Sequence, residues 1–511
     1  LCELCEILCA LRVERKKKTT KYTKKALRTE RKVVLIIEKK YNIIYKHISQ
    51  IPKKQPIMKK TALNKLAILF FAGIILFACK TEQPKENVCL LNHPEWSINA
   101  NLYEVNVRQF TKEGTFTAFS QHLERLNDLG VNILWFMPIS PVGELNRKGT
   151  LGSYYSIQNY TAINPEFGTL DDFKAVVNKA HELGMYVIID WVANHTSWDH
   201  VWTVSNPEYF VLDEEGNFTA PNDDWTDVLQ LNYENPDLWD AMIAEMKYWV
   251  EEANIDGFRC DVAYMVPTEF WNRATKELME IKTVFMLAEA DSPELNISAF
   301  HSGYGWHLHH VMNSIAQGKM DVSEVDKYFF EDNQGNYPKG AYKIYFTSNH
   351  DENSWKGSEF ERMGDAAELF GVLSATVPGM FLMYNGQEAG LDRRLEFFEK
   401  DEIDWSDLSY TDFYEPLLKL NNRNKALWNG LAGGPIVRIK TDCDEKVFAF
   451  MREKDDNKVV VILNMSDQEI KFSLEGELFK GNYTELFTQQ PYSLESGELN
   501  MLPWGYLVLE K

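Results

Sequence analysis

Between Trp96 and Tyr384 the chain repeats one unit: a short apolar run rich in β-branched and aromatic residues, then a longer amphipathic stretch. The runs predict strands over 99–107, 132–138, 186–191, 257–262, 284–289, 308–312, 344–348 and 380–384. Runs with no polar alternation are those of strands buried on both faces, as in a parallel sheet. The stretches between them have helical spacing. Thr169 caps one in which Phe173, Val176, Val177 and Ala180 share a face, and 236–253 and 268–281 read as two more. Eight such units predict a (β/α)8, or TIM, barrel. The alternative, a doubly wound sheet, requires a Gly-rich turn after its first strand, and Val107-Arg108-Gln109-Phe110 is not one. Residues 197–232, rich in Asp, Asn, Trp and Tyr, interrupt the alternation after the third strand as a small lobe. After residue 420 it stops, and 447–452, 458–464, 469–473 and 506–509 read as short antiparallel strands.

Four segments follow the predicted strands and carry the chemistry: Asp190-Trp191-Val192-Ala193-Asn194-His195, Gly257-Phe258-Arg259-Cys260-Asp261, Leu287-Ala288-Glu289-Ala290-Asp291 and Asn349-His350-Asp351. Carboxylates at the C-terminal ends of barrel strands converge on one face. Asp261, Glu289 and Asp351 meet that condition. Paired carboxyl groups suit acetal cleavage, which needs a proton on the leaving oxygen and negative charge beside an oxocarbenium-like carbon. Arg259 lies two residues before Asp261, so both point to the same face of a strand. Its guanidinium is expected to lower the Asp261 pKa, while the apolar run 284–288 is expected to raise that of Glu289. Each motif alone is weak, because Arg-x-Asp is a routine ion pair and Asn-His-Asp can be a turn. Together, in one order and each at a strand end, they are specific.

In that order and content the segments resemble the conserved regions of the α-amylase superfamily of glycoside hydrolases (family 13 type). Asn101 to Phe110 is similar to its first strand, and Gly152 to Tyr160 followed by Ala162 to Thr169 to its loop after strand two. Pro378-Gly379-Met380 to Gly386-Gln387-Glu388 looks like its eighth strand, so the likeness spans roughly residues 95–400. It implies a catalytic barrel over 95–420, with 197–232 as a short B lobe, and a C-terminal β-sandwich domain over 421–511. It also implies a retaining α-glycosidase, with Asp261 as nucleophile, Glu289 as general acid/base and Asp351 as a third carboxylate bracing the distorted sugar. Tyr155 matches the aromatic that stacks on the sugar at the cleaved bond, although a packed loop tyrosine reads the same way. His195 and His350 match two histidines that bind sugar hydroxyls, and Asp190 and Asn194 would order the loop around them.

The substrate implied is starch or a maltooligosaccharide cut at α-1,4 bonds, with no cofactor required for the chemistry. The alternatives are an exo-acting glucosidase, a maltogenic amylase or a transglycosylase, and, from another class, a silent sugar-binding barrel, which all three carboxylates argue against. Large relatives hold a structural calcium between barrel and B domain, and Asn194 matches one ligand. Two departures bear on specificity. Val262-Ala263-Tyr264-Met265 stands where many relatives have a Lys-His pair, and Gln230 stands where an acidic residue is frequent. Trp198, Trp225, Trp306 and Trp355 are candidate sugar platforms.

The formal charge of -21 joins two opposite pieces. Residues 1–78 contain 19 Lys/Arg against 5 Asp/Glu, whereas the remaining 433 carry 35 against 70. So acidic a body repels phosphates, which excludes nucleic acid as a partner. Lys59, Lys60 and the 13-residue apolar run 66–78 read as a signal peptide over 58–78. The run is short of the roughly 20 residues a spanning helix needs. It ends in Leu76-Phe77-Ala78-Cys79, which resembles a bacterial lipobox, with Cys79 as the lipid site. Residues 1–57 before it read as spurious upstream translation without a fold, and 79–94 as a tether. The expectation is a monomeric bacterial cell-envelope lipoprotein, outer-membrane anchored and facing the periplasm or the surface. Beyond these segments only Cys89, Cys260 and Cys443 remain, and no disulfide framework or zinc spacing is legible.

Overall fold

The computed structural model describes residues 88–331, 337–495 and 497–511. The readings of 1–57, 58–78 and Cys79 lie outside the described residues. Eight parallel strands close a barrel: β1 (Leu102–Val105), β2 (Ile133–Phe136), β3 (Tyr186–Trp191), β6 (Gly257–Cys260), β7 (Phe285–Ala288), β8 (Ser302–Tyr304), β9 (Tyr342–Tyr345) and β10 (Met380–Tyr384), with β10 pairing back to β1. Between β3 and β6 the short antiparallel pair β4 (His195–Ser197) and β5 (Val228–Gln230) carries the small lobe.

The strand period of two sorts the side chains. One set, including Leu102, Ile133, Trp135, Ile188, Phe285, Leu287, Ile344 and Leu382, fills the barrel interior. The alternate set, including Tyr103, Leu134, Val187, Phe258 and Met286, packs outward against the helices. Continuing the interior set along each strand brings in Glu104, Asp190, Arg259, Asp261 and Glu289, all buried. Polar groups thus finish columns whose lower layers are apolar. Gly257 opens β6 at φ +153°, where a Cβ would lie 1.9 Å from the Phe285 carbonyl oxygen. Only glycine lets the two strands meet there.

Several expectations need correction. Residues 308–312 are helical, within Trp306–Ala316. Leu308, Val311, Met312 and Ile315 are its buried face, a 3.6-residue period read as an apolar strand run. The actual sixth barrel strand, β8, is Ser302-Gly303-Tyr304, too short and glycine-broken to signal itself. The strand expected over 257–262 ends at Cys260, because Val262 turns into the left-handed region at φ 34°. Residues 88–94, expected as tether, are bound to the barrel: Cys89 N–H donates to the Lys339 carbonyl at 3.0 Å and Leu90 N–H to that of Ile297 at 2.7 Å.

The helix Thr411–Arg423 runs across the boundary expected at 421. Beyond it, β11 (Ile436–Ile439), β12 (Val447–Lys454), β13 (Asn457–Asn464), β15 (Gly481–Glu485), β16 (Pro491–Leu494) and β18 (Tyr506–Glu510) form one sheet. A second, two-stranded sheet pairs β14 (Ile470–Ser473) with β17 (Glu498–Met501). Fully buried Arg452 on β12 fastens this domain down, donating to the carbonyls of Thr376, Val377, Trp428 and Gly434.

Candidate active site

At the C-terminal ends of the strands one cation serves three carboxylates. Arg259, fully buried, donates from Nη1 to Asp190 Oδ1 at 2.9 Å and to Asp261 Oδ1 at 3.1 Å. Its Nη2 lies 3.0 Å from Glu289 Oε1 as an ion contact, without the alignment of a hydrogen bond. The guanidinium also lies over the Trp135 ring, 5.0 Å from its centroid. The other Glu289 oxygen accepts the Val262 N–H at 2.7 Å. A β-branched residue at positive φ is strained by about 1–3 kcal/mol, and here the strained turn aims its amide at the candidate acid/base.

A second chain of hydrogen bonds starts on β1. The Nδ1–H of His350 donates to Glu104, and its Nε2 lies 2.8 Å from the Tyr155 hydroxyl and 3.4 Å from Asp351 Oδ2. Tyr155 donates onward to Asp190 Oδ2 at 3.0 Å, which also accepts Trp135 Nε1–H at 3.2 Å. Glu104 to His350 to Tyr155 to Asp190 to Arg259 is therefore one connected network. Six of the nine site residues selected from the sequence, Asp190, Arg259, Asp261, Glu289, His350 and Tyr155, belong to it. Asp351 flanks it beside His350, while His195 and Asn194 lie on the Asp261 side.

The electrostatics depart from the sequence expectation at Asp261. Arg259 does pull its pKa down, but burial outweighs it and the neighbouring Glu289 adds repulsion, so the Asp261 carboxyl is pushed well up. Burial also pushes Asp190 up, to about 6, against Arg259 and His350. His350 goes the other way. Burial opposes its charged form, but Asp351 and Glu104 outweigh that and hold it up to about 9. An imidazolium explains why both ring nitrogens face acceptors. His195 is pushed down to about 3 by burial and is neutral. Its Nδ1 accepts from Asn194 Nδ2 at 3.2 Å, which leaves the proton on Nε2, 4.0 Å from Asp261 Oδ2.

Of the aromatic candidates, Trp225 packs beside His195 with ring centroids 5.2 Å apart. Half-exposed Trp355 packs on Phe397, which in turn stacks near Tyr155 and His350. Trp306 instead packs on Tyr304 and Phe346 in the barrel interior, and Trp198 Nε1–H is used by the Thr226 carbonyl. Glu104 and Trp135 escaped the sequence reading, although the period of two on β1 and β2 puts both on the interior face.

Asn194 does not fit a cation ligand here. Gln230 Nε2 donates to both its backbone oxygen and its Oδ1, each at 3.1 Å. Among the described residues no group of three or more His, Cys, Asp or Glu side chains could hold a metal ion.

The Glu104 contact gives a pH prediction. The charged form of His350 stabilises the folded site fully below the ordinary histidine value, and that contribution is lost as pH rises through about 9. Glu104→Gln removes one of the two anions that hold it up. The alkaline limb of the kcat/KM profile should then move acidward by about 1–2 pH units. An unmoved limb would show that the proton is not held this way.

A closed parallel barrel with paired carboxylates on its C-terminal face, bridged by an arginine and flanked by two histidines, is the arrangement expected of a glycoside hydrolase. The sequence matches the family described as "Alpha amylase, catalytic domain" over residues 98–227 and 222–430, and "Maltogenic Amylase, C-terminal domain" over 439–508. The chain belongs to the α-amylase family. It is 30% identical to the solved maltogenic α-amylase AmyB of Thermotoga neapolitana, at a TM-score of 0.74, with 81% of this chain and 99% of that one covered. A solved α-amylase from Lactobacillus plantarum is also 30% identical, with a TM-score of 0.72 over 81% and 99% of the two chains. Alpha-amylase 3 of Dictyoglomus thermophilum is 26% identical over 462 residues, 76% of this chain and 88% of that protein.

Proposed function

We propose that this glycoside hydrolase cleaves α-1,4-glucosidic bonds of maltooligosaccharides with retention, through a glycosyl ester on Asp261. In the reactive form the carboxyl pair holds one proton, on Glu289. That lifts the Glu289 repulsion from Asp261 and leaves Arg259 to stabilise its carboxylate. Glu289 gives that proton to the leaving oxygen as the Asp261 carboxylate attacks the anomeric carbon. It then takes a proton from the water that hydrolyses the ester. Asp351, with 36% of its side chain exposed, lies 3.4 Å from the His350 ring. The observation that carries the reading is the single guanidinium touching both carboxylates, at 3.1 Å and 3.0 Å. Such bridging supports the short carboxyl separation of retaining enzymes, about 5–5.5 Å, over the roughly 6.5–9.5 Å that leaves room for a water in inverting ones.

Neutral His195, with its proton on Nε2, suits donation to a sugar hydroxyl, and Tyr155 in the buried network suits the floor beneath the ring. The likeness to a maltogenic amylase supports short products, and hence the exo-acting or maltogenic alternative, as the second reading. The lipobox-like Leu76-Phe77-Ala78-Cys79 supports an enzyme tethered by lipid to a bacterial envelope membrane.

The test is NMR of the products formed from maltoheptaose, with Asp261→Asn as control. Early α-anomeric products that vanish in the variant are expected, and their lengths separate endo from exo attack. Early β-anomers would overturn retention. Turnover confined to another α-glucoside would overturn the substrate.

A further inference from the structure

Around the side chain of Gln230 three oxygens converge on one nitrogen. Its Nε2 lies 3.1 Å from the Asn194 carbonyl oxygen, 3.1 Å from Asn194 Oδ1 and 3.2 Å from the Leu231 carbonyl oxygen. Two of these are main-chain carbonyls, which can only accept, so the amino end of the carboxamide is the end that points in. Its two protons are shared among three acceptors. The cradle joins the two parts of the catalytic domain: Asn194 ends the loop after β3, and Gln230 pairs with His195 across β4 and β5. Carbonyl and side-chain amide oxygens of this kind are what a hard cation takes as ligands. Here a nitrogen with two fixed protons stands among them.

We infer that the carboxamide of Gln230 takes the place of a structural cation, so that the lobe between β3 and β6 is locked to the barrel without metal. The consequence reaches the catalytic groups. With its Oδ1 turned to Gln230, Asn194 can present only its amino group to His195 Nδ1, at 3.2 Å. That makes Nδ1 an acceptor and leaves the His195 proton on Nε2, on the side of Asp261. Gln230 is thus a positioning residue, acting through Asn194 on the tautomer of His195. A carboxylate at this position would reverse the sign. It would add a fourth oxygen to the cradle, repel the other three, and need a cation to hold them together.

The experiment is thermal unfolding of the whole chain after EDTA treatment and again with calcium chloride, for the native protein and for Gln230→Glu. The native Tm is expected to be unchanged within about 1 °C in both conditions. The variant is expected to melt lower and to regain about 5 °C as calcium saturates it. A native Tm that falls in EDTA and returns with calcium overturns the inference, and so does a variant blind to calcium. If the variant does not fold, the native arm still decides. Histidine 15N NMR, with His195→Gln for assignment, tests the relay: a proton on Nε2 is expected, and one on Nδ1 overturns it. None of these readouts depends on which glucan is cleaved, or whether one is, so the inference and the proposed activity can fail separately.

Discussion

Asp261→Asn should abolish turnover of maltoheptaose and of α-glucosyl fluoride alike, by about 10⁵-fold or more, while Glu289→Gln should spare the fluoride. The difference follows from what each group supplies. Asp261 sits at the end of β6, 7% exposed, with one oxygen fixed by Arg259 and the other 4.0 Å from His195. The role proposed for it is to form the bond to carbon, which every substrate requires. Glu289, held by Arg259 and by the Val262 amide, is proposed to supply a proton, which a sugar leaving group needs and fluoride does not. Glu289→Gln should therefore lose about 10²–10⁴-fold on maltoheptaose and far less on the fluoride. Stopped-flow fluoride release and reducing-end assays on both variants give the four rates. If Asp261→Asn kept the fluoride reaction and Glu289→Gln lost it, the two roles would be exchanged. If the two variants lost both substrates equally, the separation of roles proposed here would fail.

Much of this site is visible in the residues because a barrel strand is a ruler. Once 257–260 is read as a strand, Arg259 and Asp261 must share a face, and the same period carries Leu287 to Glu289. What the ruler does not show is what another strand brings to that face. Glu104 sits in an apolar run that reads simply as core, and only closure of β10 onto β1 brings it to His350, 246 residues away. β8 failed for the opposite reason: three residues with a central glycine carry no periodic signal, while the helix after it has the apolar density of a strand. The sign of the Asp261 shift was equally out of reach. The Arg259 charge is local in sequence, but the burial that outweighs it and the repulsion from Glu289 exist only once the barrel is closed. Gln230 was noticeable only as a departure; its three oxygen partners make it interpretable.

Arg259→Met should be the most destabilising single change in the catalytic centre, and its cost should depend on pH in a direction opposite to acid denaturation. The side chains of Arg259 and Asp190 are fully buried, and those of Asp261 and Glu289 nearly so. Removing the one cation they share leaves carboxylates in a low-dielectric core. Breaking such a buried pair costs about 3–5 kcal/mol. Even with Arg259 present, burial pushes Asp190 up to about 6 and Asp261 well above the ordinary carboxylate range. Without it both must rise further. A carboxyl whose folded pKa exceeds its unfolded one binds more protons when folded. Its penalty is therefore absent below the unfolded value and grows as pH rises toward the folded one. The gap in stability between native protein and variant should be large at pH 8 and shrink by pH 5, as protons replace the lost guanidinium. Arg259→Lys keeps the charge but not the fork that reaches three partners at once, so it should fall between the two. Urea unfolding of the three proteins across that range measures the gap directly. A gap that stays constant with pH would mean that Arg259 matters for its packing over Trp135, and that the carboxylates do not depend on its charge.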